Sequence, residues 1–172
     1  MKAIAMRIAG IGRYLPQRVV TSDELARLCN VPAGWIEEHA GVSERRWASR
    51  ELGETNASMG ARAALEALAA AGVDAADVDC LIYASATAQQ LIPDTSVYVL
   101  RELGLADAGI TCLSIHSSCL SFVSALDAAA CRLASGRNER ILVVSSEINS
   151  IGLNFREPES AALFGDGAAA VL

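Results

Sequence analysis

The chain has 172 residues, 52% hydrophobic, 5% aromatic and 20% charged, with a formal net charge of −6 and an isoelectric point near 4.9. That is enough chain for a domain with a real core, and too apolar for wholesale disorder. The acidic balance argues against nucleic acid as a partner, and no apolar run approaches the ~18 residues of a membrane span.

In chain order, "MKAIAMRIAG" runs into "IGRYLP" without a long apolar core or a cleavage site, so no signal peptide is expected. Met6 to Gly12 reads as a short buried strand. A turn follows, and Thr21 or Ser22 is placed to cap a helix through Leu28. Pro32 near the start and Gly41 at the end bracket a second short helix. "SERRWASR", Ser43 to Arg50, carries three arginines against the acidic balance. It reads either as a solvated loop or as an anion site for a phosphate-bearing ligand.

The clearest helix opens at Thr55 or Asn56, places Met59, Ala63, Leu65 and Leu68 on one side, and stops at Gly72. "DCLIYASAT" has strand length, "DTSVYVLRELGL" is a capped helix closed by Gly104, and "GITCLSIH" is a strand leading to Cys119. A long helix follows with Phe122, Leu126, Ala129, Ala130 and Leu133 at inward spacings, ending at Gly136. "RILVVSSE" reads as a central strand. "SAALFGDGAAAVL" reads as the start of a strand, a turn at Gly165-Asp166-Gly167, and another strand. Strands alternating with helices of this length predict an α/β layer structure with a mostly parallel sheet. Because "AAAVL" closes the chain inside a strand, the expectation is a part of something larger.

The five cysteines are Cys29, Cys80, Cys112, Cys119 and Cys131; none forms a C-x-x-C pair and only His39 and His116 accompany them. No metal is expected, and a reduced, cytoplasmic setting is the simplest reading. Cys119 differs from the others. It lies where a strand ends, two serines turn the chain and a helix begins, a place whose N–H groups favour a thiolate and can receive an oxyanion. It reads either as an acyl-accepting nucleophile or as one more small, buried hydrophobe. His116 is a candidate base, His39 a helix C-cap, and Asp166 an ordinary turn residue.

Four strings in register resemble the β-ketoacyl-acyl-carrier-protein synthases III of the thiolase superfamily. They are "GIGRYLPQRVVTSDEL", "WIEEHAGVSERRWA", "SSCLSFVSALDAA" and "ALFGDGAAAVL". The resemblance spans the whole chain, residues 1–172, as the N-terminal thiolase-like domain of a family member; the second, C-terminal domain is absent. It implies a thiolase-like αβαβα half-domain with a mixed, mostly parallel sheet and a buried nucleophile helix.

It also implies that Cys119 takes an acyl group from acyl-coenzyme A for condensation with a malonyl unit on acyl carrier protein, with loss of carbon dioxide. The Cys119 N–H then forms part of the oxyanion hole. Trp35 matches the tryptophan that stacks on the adenine of coenzyme A. Arg45 and Arg46 are expected near the donor's pantetheine or nucleotide. Ile92 matches the segment that lines the acyl pocket across a dimer interface, so a homodimer is implied. No cofactor is implied, acyl-coenzyme A being a substrate.

Two departures stand out. His39 replaces an arginine of the primary synthases, and Pro158 falls near another, where Arg156 could substitute. They leave open a divergent head-to-head condensing enzyme or a non-decarboxylating acyltransferase. The family's catalytic His and Asn belong to the other half, which also leaves open a non-catalytic dimerisation fragment. Isolated, these residues are expected to be poorly soluble.

Overall fold

The computed structural model describes residues 6–172, so residues 1–5 of the leader reading lie outside it. In chain order the elements are β1 (Ile11–Tyr14), β2 (Arg18–Thr21), α1 (Ser22–Cys29), α2 (Trp35–Ala40), β3 (Glu44–Trp47), α3 (Asn56–Ala71), β4 (Cys80–Ala84), α4 (Thr95–Glu102), β5 (Thr111–Ile115), α5 (Ser121–Ala134), β6 (Ile141–Glu147), α6 (Pro158–Ala161) and β7 (Gly167–Val171). The chain divides into two compact units. One holds 6–14, Asn56–Glu147 and Ala168–Leu172; the other holds Leu15–Thr55 and Ile148–Gly167.

The first unit is a sheet of order β1-β7-β6-β4-β5. β4 runs parallel to both β5 and β6, with Cys80 opposite Thr111 and Ile141, and β1 runs antiparallel to β7. One sheet face, through Cys80, Ile82, Ala84, Ile141, Val143 and Val171, buries Ala125 and Ala129 of α5. The other face receives α3 and α4.

α3 can lie very close to the sheet because it offers little beyond methyl groups there: Ala57, Ala61, Ala63, Ala64 and Ala67 are buried with Met59 and Leu68. Leu65, expected on the apolar side, is half exposed instead. Gly12 on β1 sits where an added Cβ would fall 2.1 Å from the Ala63 carbonyl oxygen.

α5 buries Ser121, Ala125 and Ala129, a row at intervals of four. Leu120 and Val123 remain 63% and 61% exposed, so the helix expected to be buried is covered on one side here. The strand expected from Met6 begins only at Ile11, and both Ile8 and Ile11 are exposed. At that edge β1 pairs with β7 alone among the described strands.

The second unit pairs β2 with β3 antiparallel, Arg18 opposite Trp47 and Thr21 opposite Glu44. Its core joins Val20, Leu25, Ile36, Trp47, Ala161 and Ala162. Thr21 caps α1 by accepting the Glu24 N–H at 3.2 Å, as the sequence suggests. "SERRWASR" is not a solvated loop, because β3 occupies its centre and buries Trp47. "SAAL" does not begin a strand. Pro158 stands at the first turn of α6, where its fixed φ suits a helix and its missing N–H costs nothing.

Asp166, expected as a turn residue, is a buried hub. It accepts the Ala48 N–H at 2.7 Å, the Asn149 and Ser150 N–H groups at 2.8 and 2.9 Å, and the Ser150 hydroxyl at 2.5 Å. Asp166→Ala strands three backbone donors in a buried site. It is expected to cost about 2–4 kcal/mol, read as a lower urea midpoint, with Asp166→Asn falling between.

Candidate active site

Because β4, β5 and β6 are parallel, their carboxyl ends lie at one edge of the first unit's sheet, the usual place for ligands in such layers. β5 ends at Ile115 and α5 starts at Ser121, leaving five residues to reverse direction. Ser118 makes that reversal with φ +51°, a left-handed conformation that costs a non-glycine residue about 1 kcal/mol. The Leu120 N–H donates to the Ser117 carbonyl at 3.0 Å and the Ser121 N–H to the Ser118 carbonyl at 3.1 Å. The buried Ser121 hydroxyl closes the turn, accepting the Ser117 N–H at 3.0 Å and donating to the Ser118 carbonyl at 2.7 Å.

Cys119 stands at the top of this turn, exposed, with its own N–H outside these hydrogen bonds. The first helical residue is Ser121, two positions later than a helix opening at Cys119 would have. His116 lies on the exposed approach from β5.

The other cysteines have different surroundings. All five are free thiols. Burial pushes the Cys29, Cys80 and Cys112 thiols above the ordinary cysteine value, which holds them as neutral packing groups. Cys131 is exposed in the last turn of α5. Cys119 therefore combines exposure with a tight strand-to-helix turn, and the other four do not.

The loop after β4 shares the same sheet edge. Its tip presents Leu91 and Ile92, 84% and 88% exposed, with a cis peptide bond between Ile92 and Pro93. Its root is held by β6: the Glu147 carboxylate accepts the Ala86 N–H at 2.6 Å, the Thr87 N–H at 2.9 Å and the Thr87 hydroxyl at 2.6 Å. The Ser146 carbonyl accepts from Asn56 at 2.9 Å and from the Tyr83 and Ser85 hydroxyls at 2.8 Å each. Burial pushes the Tyr83 phenol up to about 12, so it stays a protonated donor.

The second unit carries Trp35, Arg45, Arg46 and Arg156, whereas Cys119 and Ile92 belong to the first. His39 stacks on Trp35 with ring centroids 3.9 Å apart and planes 15° from parallel. Its Nδ1–H donates to the Trp35 carbonyl at 2.8 Å, so the imidazole is fastened over one indole face. His39 is thus a lid on Trp35 as well as a partner for a helix carbonyl.

Arg45 is not on an open anion-binding surface. It is 6% exposed and donates to the Ser22 hydroxyl at 3.2 Å and the Val42 and Ala162 carbonyls at 3.5 and 3.3 Å. Arg46 is half-buried, with one donor on the Pro16 carbonyl at 3.2 Å, and Arg156 is exposed. Among the described residues, no three His, Cys, Asp or Glu side chains gather as metal ligands, and no helix is long and apolar enough to cross a membrane.

Ser121, Glu147 and Asp166 were not among the residues the sequence singled out for these roles. The serine at 121, three residues after another serine, was the one local hint, since that spacing suits a side-chain-to-backbone turn.

Residues 113–172 match the family model of 3-oxoacyl-[acyl-carrier-protein (ACP)] synthase III. The chain is 36% identical over 166 residues to the β-ketoacyl-[acyl-carrier-protein] synthase III of Laribacter hongkongensis, covering 96% of this chain and 51% of that protein. The crystal structure of 3-oxoacyl-[acyl-carrier-protein] synthase III from Aquifex aeolicus superposes with a TM-score of 0.87 at 35% identity, covering 95% of this chain and 52% of that one. A priming β-ketosynthase of a polyketide biosynthetic pathway superposes at 0.85 and 34% identity, covering 96% and 48%. The chain spans about half the length of the curated relatives it matches. Over its length it is similar to the N-terminal half of the β-ketoacyl-[acyl-carrier-protein] synthases III and shares their thiolase-like fold.

Proposed function

We propose that this chain is the acyl-accepting half of a condensing enzyme of synthase III type, with Cys119 as nucleophile. The observation that carries the reading is the exposed thiol at the top of the β5–α5 turn, at the carboxyl edge of the parallel strands. The Cys119 sulfur attacks the carbonyl carbon of an acyl-coenzyme A thioester. A new carbon–sulfur bond forms, the bond to coenzyme A breaks, and coenzyme A leaves as its thiol after gaining the proton from Cys119. The Cys119 N–H, unused by the turn, supplies one donor to the oxyanion.

The acyl group then condenses with a malonyl-type extender on acyl carrier protein, with loss of carbon dioxide. The His and Asn for that step belong to the family's other half. No cofactor takes part. The enzyme works as a homodimer in a reducing cytoplasm, a setting that suits five free thiols.

For the donor, the half-buried Trp35, stacked on His39 and packed against the second unit's core, offers its exposed part as a stacking platform for the nucleotide base. Arg46 and Arg156 carry charge for its phosphates, while Arg45 braces the strand that bears Arg46. Trp35→Ala is expected to raise the KM for acyl-coenzyme A about five- to hundredfold with a smaller effect on kcat, as base–aromatic stacking is worth about 1–3 kcal/mol. Steady-state kinetics over acyl-coenzyme A concentration check it.

Intact-protein mass after incubation with acetyl- and longer acyl-coenzyme A tests the reading. The expected result is a single acyl adduct. No mass gain with any donor, together with association into a dimer, would instead favour a non-catalytic scaffold. That second reading is motivated by the half-length match to the relatives.

A further inference from the structure

We infer that Glu147 is a positioning residue for the β4–α4 loop, and that through it the end of β6 sets which acyl chains reach Cys119. The acyl half of this inference rests on the function proposed for Cys119 and Ile92. The loop leaves β4 after Ala84 and enters α4 at Thr95. Its first residues are held by acceptors from the end of β6. Glu147 takes both N–H groups of Ala86 and Thr87 and the Thr87 hydroxyl. The Tyr83 and Ser85 hydroxyls, each with one proton to give, lie within hydrogen-bond reach of both the Ser146 carbonyl, at 2.8 Å, and the Thr87 carbonyl, at 3.2 and 2.7 Å.

The far end is held separately. The Gln89 N–H donates to the Thr95 hydroxyl at 2.9 Å, and Asp94 caps α4 through the Ser96 N–H at 2.8 Å. Between these anchors Leu91 and Ile92 stand clear of the protein. Within one chain the tip is therefore set by these roots, with the Gln90 amide donating to the Ile92 carbonyl at 2.8 Å.

A carboxylate suits this task because it only accepts. Both Glu147 oxygens face donors, three in all. Glutamine keeps the shape but turns an NH₂ group toward one of those donors, which replaces an attraction with a repulsion. Aspartate keeps both acceptors on a shorter arm. Glu147→Gln is expected to loosen the root of the loop and move its tip. A long acyl chain, which reaches the tip, should register that movement more than an acetyl group.

The test is made on the full-length protein with Glu147→Gln and Glu147→Asp. Hydrogen exchange is read on the peptide covering 85–94, and Cys119 acylation on intact mass with acetyl- and decanoyl-coenzyme A. For Glu147→Gln, exchange in that peptide should speed up about tenfold or more, and the decanoyl-to-acetyl ratio of acylation kcat/KM should change about tenfold. Glu147→Asp should recover part of both.

Unchanged exchange would overturn the positioning role. Faster exchange with both donors slowed by one common factor would also overturn the specificity inference and leave only a structural clamp. If the wild-type protein gains no adduct from either donor, the reading of Cys119 falls and takes the acyl inference with it. The exchange measurement tells that failure apart from a failure of the clamp.

Discussion

Cys119→Ala is expected to remove the acyl adduct entirely and to lower condensation by about three orders of magnitude or more. The size of the effect follows from the chemistry, since alanine leaves no atom to accept the acyl carbon. The same substitution should leave stability nearly unchanged. The Cys119 side chain is exposed, and the turn beneath it is held by the backbone and by Ser121. That separation makes the result readable, with activity lost and the unfolding midpoint retained. Cys119→Ser is expected to lose turnover as well, because a hydroxyl in place of a thiol ionises far less readily. A surviving adduct in Cys119→Ala, mapped by peptide mass, would point to Cys131, the other exposed thiol, and would sink the assignment.

Gly12→Ala is expected to destabilise the protein by about 3 kcal/mol or more, a large penalty for one methyl group. A Cβ at Gly12 would stand 2.1 Å from the Ala63 carbonyl oxygen and 2.3 Å from the Ala67 amide nitrogen. Both atoms are backbone, so no rotamer change relieves the clash; β1 or α3 must move. Moving β1 pulls on its pairing with β7, where Gly12 faces Ala170. Gly152→Ala is the control. Nothing lies within 4 Å of its added Cβ, and a change within about 0.5 kcal/mol is expected. Urea unfolding of the two variants beside the wild type decides it, and equal midpoints would mean that β1 does not cross α3 this closely.

The parts of the fold legible in the sequence are those whose pattern is local. β4 and β6 read as runs of buried apolar residues, and they are buried. α3 and α5 carry their periodicity within one stretch, and the glycines expected to stop α3, α4 and α5 do so with positive φ at Gly72, Gly104 and Gly136. β2 and β3 were not legible. β2 buries only Val20 among four residues, so neither alternation nor an apolar run announces it. Arg45 illustrates the same limit from the other side. Three arginines in eight residues suggest a surface, yet Arg45 is enclosed by Ser22, Val42 and Ala162, the last 117 positions away.

At the candidate site, the place of Cys119 could be read from the strand, the two serines and the helix that flank it. The roles of Ser121 and Glu147 could not. Glu147 matters because β6 lies beside β4, and that neighbour relation exists only once the sheet has formed.

The Asp166 hub also bears on how the chain is made. Its partner Ala48 precedes it by 118 residues. At a synthesis rate of about 5–20 residues per second, roughly 6 to 24 s pass between the emergence of the two from the ribosome. Through that interval the segment Leu15–Thr55 has been synthesised, but the carboxylate that ties Ala48 to Asn149 and Ser150 has not. The second unit cannot close as a nascent domain in the order of its own sequence. Its N-terminal portion must wait, half-assembled, until nearly the whole of these 172 residues has been translated.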